Sequence, residues 1–411
     1  MSESNLKLSV ACNFDLKFVD QIKNFPVTEI YGKLPSDFIG GGRSTYMISP
    51  IGTKKLTSYV KYCRDRGIAF NYLLNASCLD NLETTREGQK KIRALLAWVN
   101  SIGASAVTIS NPFILRIIKK HYPKLRCRVS VFAGVDHLQK ARYWQDLGAD
   151  CICLDSLTVN RDQEALCSLR AGVSCDLELL ANGNCFQSCS LSPTHMNLLS
   201  HSSQSTHKNH GMVIDHCLLE CSKRKLLNPV HYIRSDWIRP EDIKIYQQLG
   251  YHHFKIVERD LPTPIMIKRV TAYSEGKYEG NLIDLIQPYG HADNSNRYDW
   301  KRVLLSLRYF FAPLKVNLSK MLVLKKLAAR RGMLHALSGA PPIVIDNQHP
   351  CLQNFLSTIL EKRCRYRDCT QCGYCDAVAA EVLKIEKSYS QESLQLHAQI
   401  DELLVSGKMW L

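Results

Sequence analysis

Two cysteine pairs share one spacing: Cys185/Cys189 in NGNCFQSCS and Cys217/Cys221 in DHCLLECSK. Four thiolates are the usual complement of one iron-sulfur cluster, and they also satisfy zinc, so spacing leaves both metals open. Cysteines four apart face one way where the backbone is helical, which would aim each pair at a single centre. The plain alternative is that cysteine is a small apolar residue, and two such residues often share a core face. A second set, Cys364, Cys369, Cys372 and Cys375 in CRYRDCTQCGYC, has gaps of four, two and two residues. Gaps this short let one loop wrap one ion or cluster, either a second iron-sulfur cluster or zinc. This is the tightest metal signature in the chain.

The chain holds 17 cysteines in 411 residues. Its first residues show no basic start followed by a long apolar core, and no later stretch reaches membrane-spanning length. The expectation is therefore a cytoplasmic protein with no membrane contact, whose cysteines are metal ligands and buried small residues rather than a disulfide framework.

Elements able to position these thiols recur through the first two-thirds. Short β-branched or aromatic runs fall at 6–11, 27–31, 68–74, 105–109, 128–132, 151–154, 176–180, 230–233 and 253–257. Amphipathic stretches of helical period separate most of them, among them 54–66, 87–102 and 138–147. The phrases SIGASAVTIS, DLGADCICLD and QLGYHHFKIV repeat one design: a helix end, a glycine (Gly103, Gly148, Gly250) suited to a left-handed cap, then an apolar strand. The economical fold is a (β/α)8 TIM-like barrel, with a doubly wound open sheet as the alternative. The expected division is a barrel over 1–288 and a smaller, mainly helical, basic, cysteine-containing domain over 297–411. HADNSNRYDW reads as the linker between them, 301–337 as basic helix, and 352–362 and 377–404 as further helix.

In such a barrel the C-terminal ends of the strands face the active site. That rule nominates Arg43 in GGGRS, Asn75, Asn111, Asp155, Glu178, Asn182, Lys255, Glu258 and Arg259. The asparagines and Asp155 are equally suited to capping helices or making Asx turns. Glu178 differs, because a carboxylate inside an apolar strand needs a partner or a task. Over 191–210 the alternation fails in a serine- and histidine-rich stretch, which reads as an active-site loop or inserted lid. Its His195, His201, His207 and His210 fit exposed loop positions better than metal ligation.

The net charge of +15 gathers toward the C-terminus, at Lys315, Lys320, Lys325, Lys326, Arg330 and Arg331, then Lys362, Arg363, Arg365 and Arg367. RNA, a carrier protein with a phosphate arm, an acidic protein or an anionic small substrate would suit this surface, and so would plain solvated helix faces.

Four pieces, in this order, resemble the U32 peptidase-like family: GGGRS, DLELLANGNC, HCLLEC and FKIVERDLPTPIMIKRVTAYSEGKY, together spanning about two-thirds of the chain. The first cysteine pair is closer together than is usual there, and KIVERD lacks the small residue that normally separates the glutamate from the arginine. The resemblance implies a βα barrel with a 4Fe-4S cluster, held here by Cys185, Cys189, Cys217 and Cys221. It also implies relationship to enzymes that hydroxylate small aromatic precursors or RNA bases without oxygen. The resulting expectation is an iron-sulfur-dependent, oxygen-independent hydroxylase or related redox enzyme, with a partner protein or electron donor as a candidate assistant. In it Arg43, Lys255 and Arg259 orient an anionic group, and Glu178 serves as acid, base or hydrogen-bond anchor. The alternatives are an RNA-binding module with structural metal sites and a U32-type peptidase. The sequence offers no obvious nucleophile and base pair or zinc-protease helix for the last.

Overall fold

The computed structural model describes residues 5–286, 317–332 and 341–410, apart from 46, 47, 209, 212, 260 and 318. The expected linker and Lys315 lie outside these residues. Eight parallel strands follow one another round a closed barrel. They are β1 (Lys7–Ala11), β2 (Val27–Gly32), β3 (Ala69–Leu74), β4 (Ala106–Ile109), β5 (Arg126–Val129), β6 (Cys151–Cys153), β7 (Asp176–Leu180) and β8 (His253–Ile256). Closure is explicit in the register, since Lys7 through Val10 of β1 pair with His253 through Ile256 of β8. The open-sheet alternative is thereby removed.

Strands such as AFNYLL are buried along nearly their whole length because helices cover the outer face and side chains fill the inner one. The helix Arg86–Ser101 shows how the covering works: Thr85 caps it by accepting from the Gly88 N–H, and Ile92, Leu96 and Val99 line its buried face. Gly103, Gly148 and Gly250 all have positive φ (80°, 96° and 87°), so each ends a helix and releases the chain into the next strand, as their repeated context indicates.

Two readings need correction. Residues 230–233 are not a strand. Pro229–Tyr232 is a 3-10 turn, with Pro229 fixing its first φ and the Tyr232 carbonyl accepting from Trp237 Nε1 at 2.7 Å. The stretch 191–210 is not mainly loop either, because Ser192–Ser203 is a helix. Its buried residues are Leu199, Ser200, Ser202 and Ser203, so it carries no apolar stripe to reveal it. Ser203 Oγ instead accepts from the Gly41 N–H at 2.7 Å and donates to the Gly41 carbonyl at 2.9 Å, docking this mouth helix on the GGGRS loop.

The C-terminal region is mainly helical. It contains helices Phe355–Glu361, Tyr374–Val382 and Lys387–Val405, and an antiparallel pair, β9 (Ile343–Ile345) with β10 (Leu383–Ile385), that interrupts the expected continuous helix over 377–404. Within 301–337 the described helix is Met321–Gly332. Phe355 stacks between Trp237 of the barrel (5.5 Å) and Tyr374 (6.0 Å), so both regions share one hydrophobic core. Among the described residues, no helix is long and apolar enough to cross a membrane.

Candidate functional site

A cavity of about 290 Å³ opens at the C-terminal ends of the strands, and all four of Cys185, Cys189, Cys217 and Cys221 line it. The first pair sits in the loop after β7 rather than on a helix. That loop is pinned by Asp236, which accepts from the Cys185 N–H at 2.8 Å and from Ser156 Oγ at 2.6 Å. Gly183 is required for this approach, because a Cβ there would lie 2.3 Å from Asp236 Oδ2. The second pair lies on the helix His216–Leu227, one turn apart as expected, with Asp215 capping by accepting from the Leu218 N–H.

Lys225 continues the same helix face one further turn on, giving a stripe of Cys217, Cys221 and Lys225. It is buried, and its ammonium donates to the Asn184 carbonyl and side chain at 2.5 Å each and to Ser235 Oγ at 3.1 Å. Burial pulls its pKa down, while the neighbouring Cys221 and Cys185 act in the opposite direction. Arg331, from the helix Met321–Gly332, also lines the cavity, as do Tyr389, Ser393 and His397 of the C-terminal helix. The C-terminal region therefore completes the wall rather than standing apart from the site. His195 faces this cavity too, paired with Asp215 at 2.8 Å.

The other wall is basic. Arg43 Nη2 meets Glu258 Oε2 at 2.6 Å, and Lys255 Nζ lies 4.2 Å from the centre of the Tyr31 ring. Arg259 is buried, and among the described residues its Nη1 has no hydrogen-bond partner. Burial, then the nearby Arg43, push its pKa down. Glu258 is held at a φ of 103°, a left-handed conformation unusual outside glycine, and burial raises its carboxyl pKa despite Arg43. Three cations against one carboxylate leave this wall positive and suited to an anion.

The structure brings Arg43, Lys255 and Arg259 together at the cavity, but Glu178 does not line it. Glu178 is buried inside the barrel and paired with Arg128, whose Nε lies 3.4 Å from Glu29 Oε1. Glu29 also accepts from Ser9 Oγ (2.8 Å) and Asn71 Nδ2 (2.9 Å), forming a polar layer across the barrel interior. Burial would raise the Glu178 carboxyl, but Arg128 and then Lys255 hold it below its ordinary range. Its partner is thus Arg128, and the role left to it is that of an anchor beneath Lys255.

Of the remaining strand-end residues, Asn111 and Asp155 are helix caps. Asn182 pins the end of β8, donating to the Val257 and Leu285 carbonyls and accepting from the Val257 N–H at 2.6 Å. Asn75 lines the cavity, donates to Ser130 Oγ at 3.1 Å, and leaves its buried Oδ1 without a partner among the described residues. Lys225, Asp236 and Arg331 were not foreseen. Lys225 had a signal in its four-residue spacing from Cys221, whereas Asp236 and Arg331 come from distant segments with none.

The C-terminal cysteines lie together, apart from the barrel cavity. Cys364, Cys369, Cys372 and Cys375 line one small cavity with Arg234, Lys362 and Arg367. Behind it, Arg161 is buried over the Trp237 and Phe355 rings, close enough to Cys375 and Cys364 for their charges to interact. Among the described residues its Nε and Nη2 lack hydrogen-bond partners. Four thiols ringed by cations suit a centre that is anionic once its ligands are deprotonated.

A closed eight-stranded barrel with its cavity at the strand ends is a TIM-like barrel protein. The chain belongs to peptidase family U32, whose family model matches residues 47–274. It is 31% identical over 258 residues to the "Uncharacterized protease MJ1657" of Methanocaldococcus jannaschii, covering 63% of this chain and 75% of that protein. Among solved structures, the U32 peptidase Mk0906 is 19% identical with a TM-score of 0.46, covering 61% of this chain and 91% of that one. The N-acetylmannosamine-6-phosphate 2-epimerase of Clostridium perfringens is 11% identical with a TM-score of 0.33, covering 64% and 90%.

Proposed function

We propose that the chain is an iron-sulfur-dependent redox enzyme, of the oxygen-independent hydroxylase type, acting on an anionic substrate in the barrel cavity. The observation that carries this reading is that four cysteines from two separate segments line the same cavity as Arg43, Lys255 and Arg259. The donor set fits the group: four sulfurs, with buried Lys225 and nearby Arg331 to balance the negative charge of a thiolate-ligated cluster. A bound cluster, held by these four cysteines, would supply one-electron chemistry beside the substrate. Arg43 and Arg259 would bind the anionic end of the substrate, and Lys255 would orient it against Tyr31. Glu258, with its raised pKa, would hold or pass a proton at its carboxylate. Glu178 would help hold Lys255 in place.

The peptidase reading has two observations in its favour, the His195–Asp215 pair beside Cys217 and the 3.4 Å contact between Cys217 Sγ and His216 Nε2. Against it, Cys217 is buried and its thiol is pushed up to about 11 by that burial, where a nucleophilic cysteine needs a depressed pKa. The C-terminal cysteines are a second metal centre in this reading, either a cluster that passes electrons or a zinc that folds the region. Part of the basic charge serves the fold, since Arg363 and Arg365 reach Glu164 and Asp162 of the barrel at 2.8 and 3.6 Å. All 17 cysteines are unpaired, which suits a reducing compartment.

Iron and acid-labile sulfide in anaerobically purified protein test the proposal. Cys217→Ala should lose the barrel cluster's share, whereas full iron in that variant would sink the assignment. Peptide cleavage that survives complete removal of metal would restore the peptidase reading.

A further inference from the structure

On the side of the mouth helix away from the cavity, two histidines meet a cysteine and an aspartate from the turn after β3. The ligand atoms of Cys78, Asp80 and His201 all lie within 4.8 Å of one another. His201 Nε2 is 3.4 Å from Asp80 Oδ1, and His207 Nε2 is 3.2 Å from Asp80 Oδ2. Cys78 Sγ is 3.7 Å from Asp80 Oδ1. Ligands placed tetrahedrally round zinc at ordinary bond lengths sit about 3.3 to 3.8 Å apart, a spacing that the two contacts of Asp80 Oδ1 match, while His207 meets the other carboxylate oxygen, Oδ2.

An ion pair without metal is the simpler reading, but the geometry argues against it. His201 Nε2 is buried and, despite its distance from Asp80, makes no hydrogen bond among the described residues. The His201 and His207 rings stack at 4.3 Å with 11° between their planes, an arrangement that two protonated imidazoles would oppose by repulsion and that lets only one of the two in-plane lone pairs reach a given ion. One imidazole, one thiolate and one carboxylate, with the fourth position left to water, are a ligand set that zinc accepts.

The protein positions these groups without help from an ion. Gln204 Nε2 donates to the Cys78 carbonyl at 2.6 Å, the Ser77 N–H donates to Ser200 Oγ at 2.9 Å, and Ser77 Oγ donates to Asn197 Oδ1 at 2.7 Å. The turn is thereby held in register with the helix Ser192–Ser203. Its other side carries His195, Met196 and Leu199 to the cavity.

We infer that Cys78, Asp80 and His201 form a zinc site, with His207 bracing the Asp80 carboxylate behind it, that clamps the mouth helix to the β3 turn and fixes its position over the cavity. The site shares no ligand with either cysteine centre, so its test is independent of the function proposed above.

The test is zinc content and affinity of the full chain, stripped with a chelator and reloaded with zinc, against the double variant His201→Ala/His207→Ala. The variant should hold one zinc fewer per chain, and zinc should raise the thermal midpoint of the wild type more than that of the variant. Cys78→Ser, a smaller change, should weaken the same zinc at least tenfold, while Cys167→Ser at an exposed site should not. Unchanged zinc content and affinity in a double variant whose circular dichroism matches the wild type would overturn the site. So would unchanged affinity in Cys78→Ser.

Discussion

The two cysteine centres differ in how the chain builds them. The C-terminal set is local: four thiols within one short segment close on a small cavity ringed by Arg234, Lys362 and Arg367. The barrel set is assembled from a loop after β7 and a separate helix, in a cavity of about 290 Å³ that also holds Arg43, Lys255, Glu258, Arg259 and the His195–Asp215 pair. Both sets lie among cations, but the second lines by far the larger cavity and has Glu258 and the His195–Asp215 pair beside it.

The largest expected effect separates the centres by substitution. Cys217→Ala should abolish redox turnover and the barrel iron, whereas Cys369→Ser/Cys372→Ser should leave barrel iron in place and remove only the second metal, as metal analysis of both variants would show. Loss of both metals from either variant would erase the distinction.

Next is the polar layer beneath the barrel site. Arg128→Met leaves Glu178 and Glu29 buried without their cation, and chemical denaturation should show a loss of about 3–5 kcal/mol. A loss below about 1 kcal/mol would mean that this layer does not support the site.

The stacked seam between the regions comes third. Phe355→Ala removes the ring between Trp237 and Tyr374, and should destabilise the chain by about 3 kcal/mol while speeding metal loss from the C-terminal centre more than from the barrel. Equal rates of loss would show that the seam does not distinguish the two.

The smallest effect concerns the basic wall. Arg259→Gln should weaken binding of inorganic phosphate, used as an anionic probe in calorimetry, by about tenfold, or ~1.4 kcal/mol. Unchanged binding would move the anion site elsewhere. Steep salt dependence of RNA binding, preserved in this variant, would instead favour the RNA-binding alternative.

The barrel was legible because its helices and strands repeat a pattern with glycine stops at Gly103, Gly148 and Gly250. Arg43, Lys255 and Arg259 were legible because strand ends in this fold point one way. The mouth helix was not, since it buries serines that bond to the GGGRS loop instead of an apolar stripe. Glu178 showed the need for a partner, but nothing local could name Arg128, two strands away. Arg331 and Asp236 reach the cavity through tertiary packing alone. Lys225 was readable in principle, because it extends the Cys217 and Cys221 stripe by one turn.

The central claim is that the barrel cysteines hold an iron-sulfur cluster that governs activity. Electron paramagnetic resonance of the dithionite-reduced chain, with the C-terminal centre removed by Cys369→Ser/Cys372→Ser, tests it most directly. The account predicts a reduced-cluster signal that accompanies activity and disappears on adding Cys217→Ala. A silent spectrum in the dithionite-reduced, active protein, or a signal unchanged by Cys217→Ala, would contradict it.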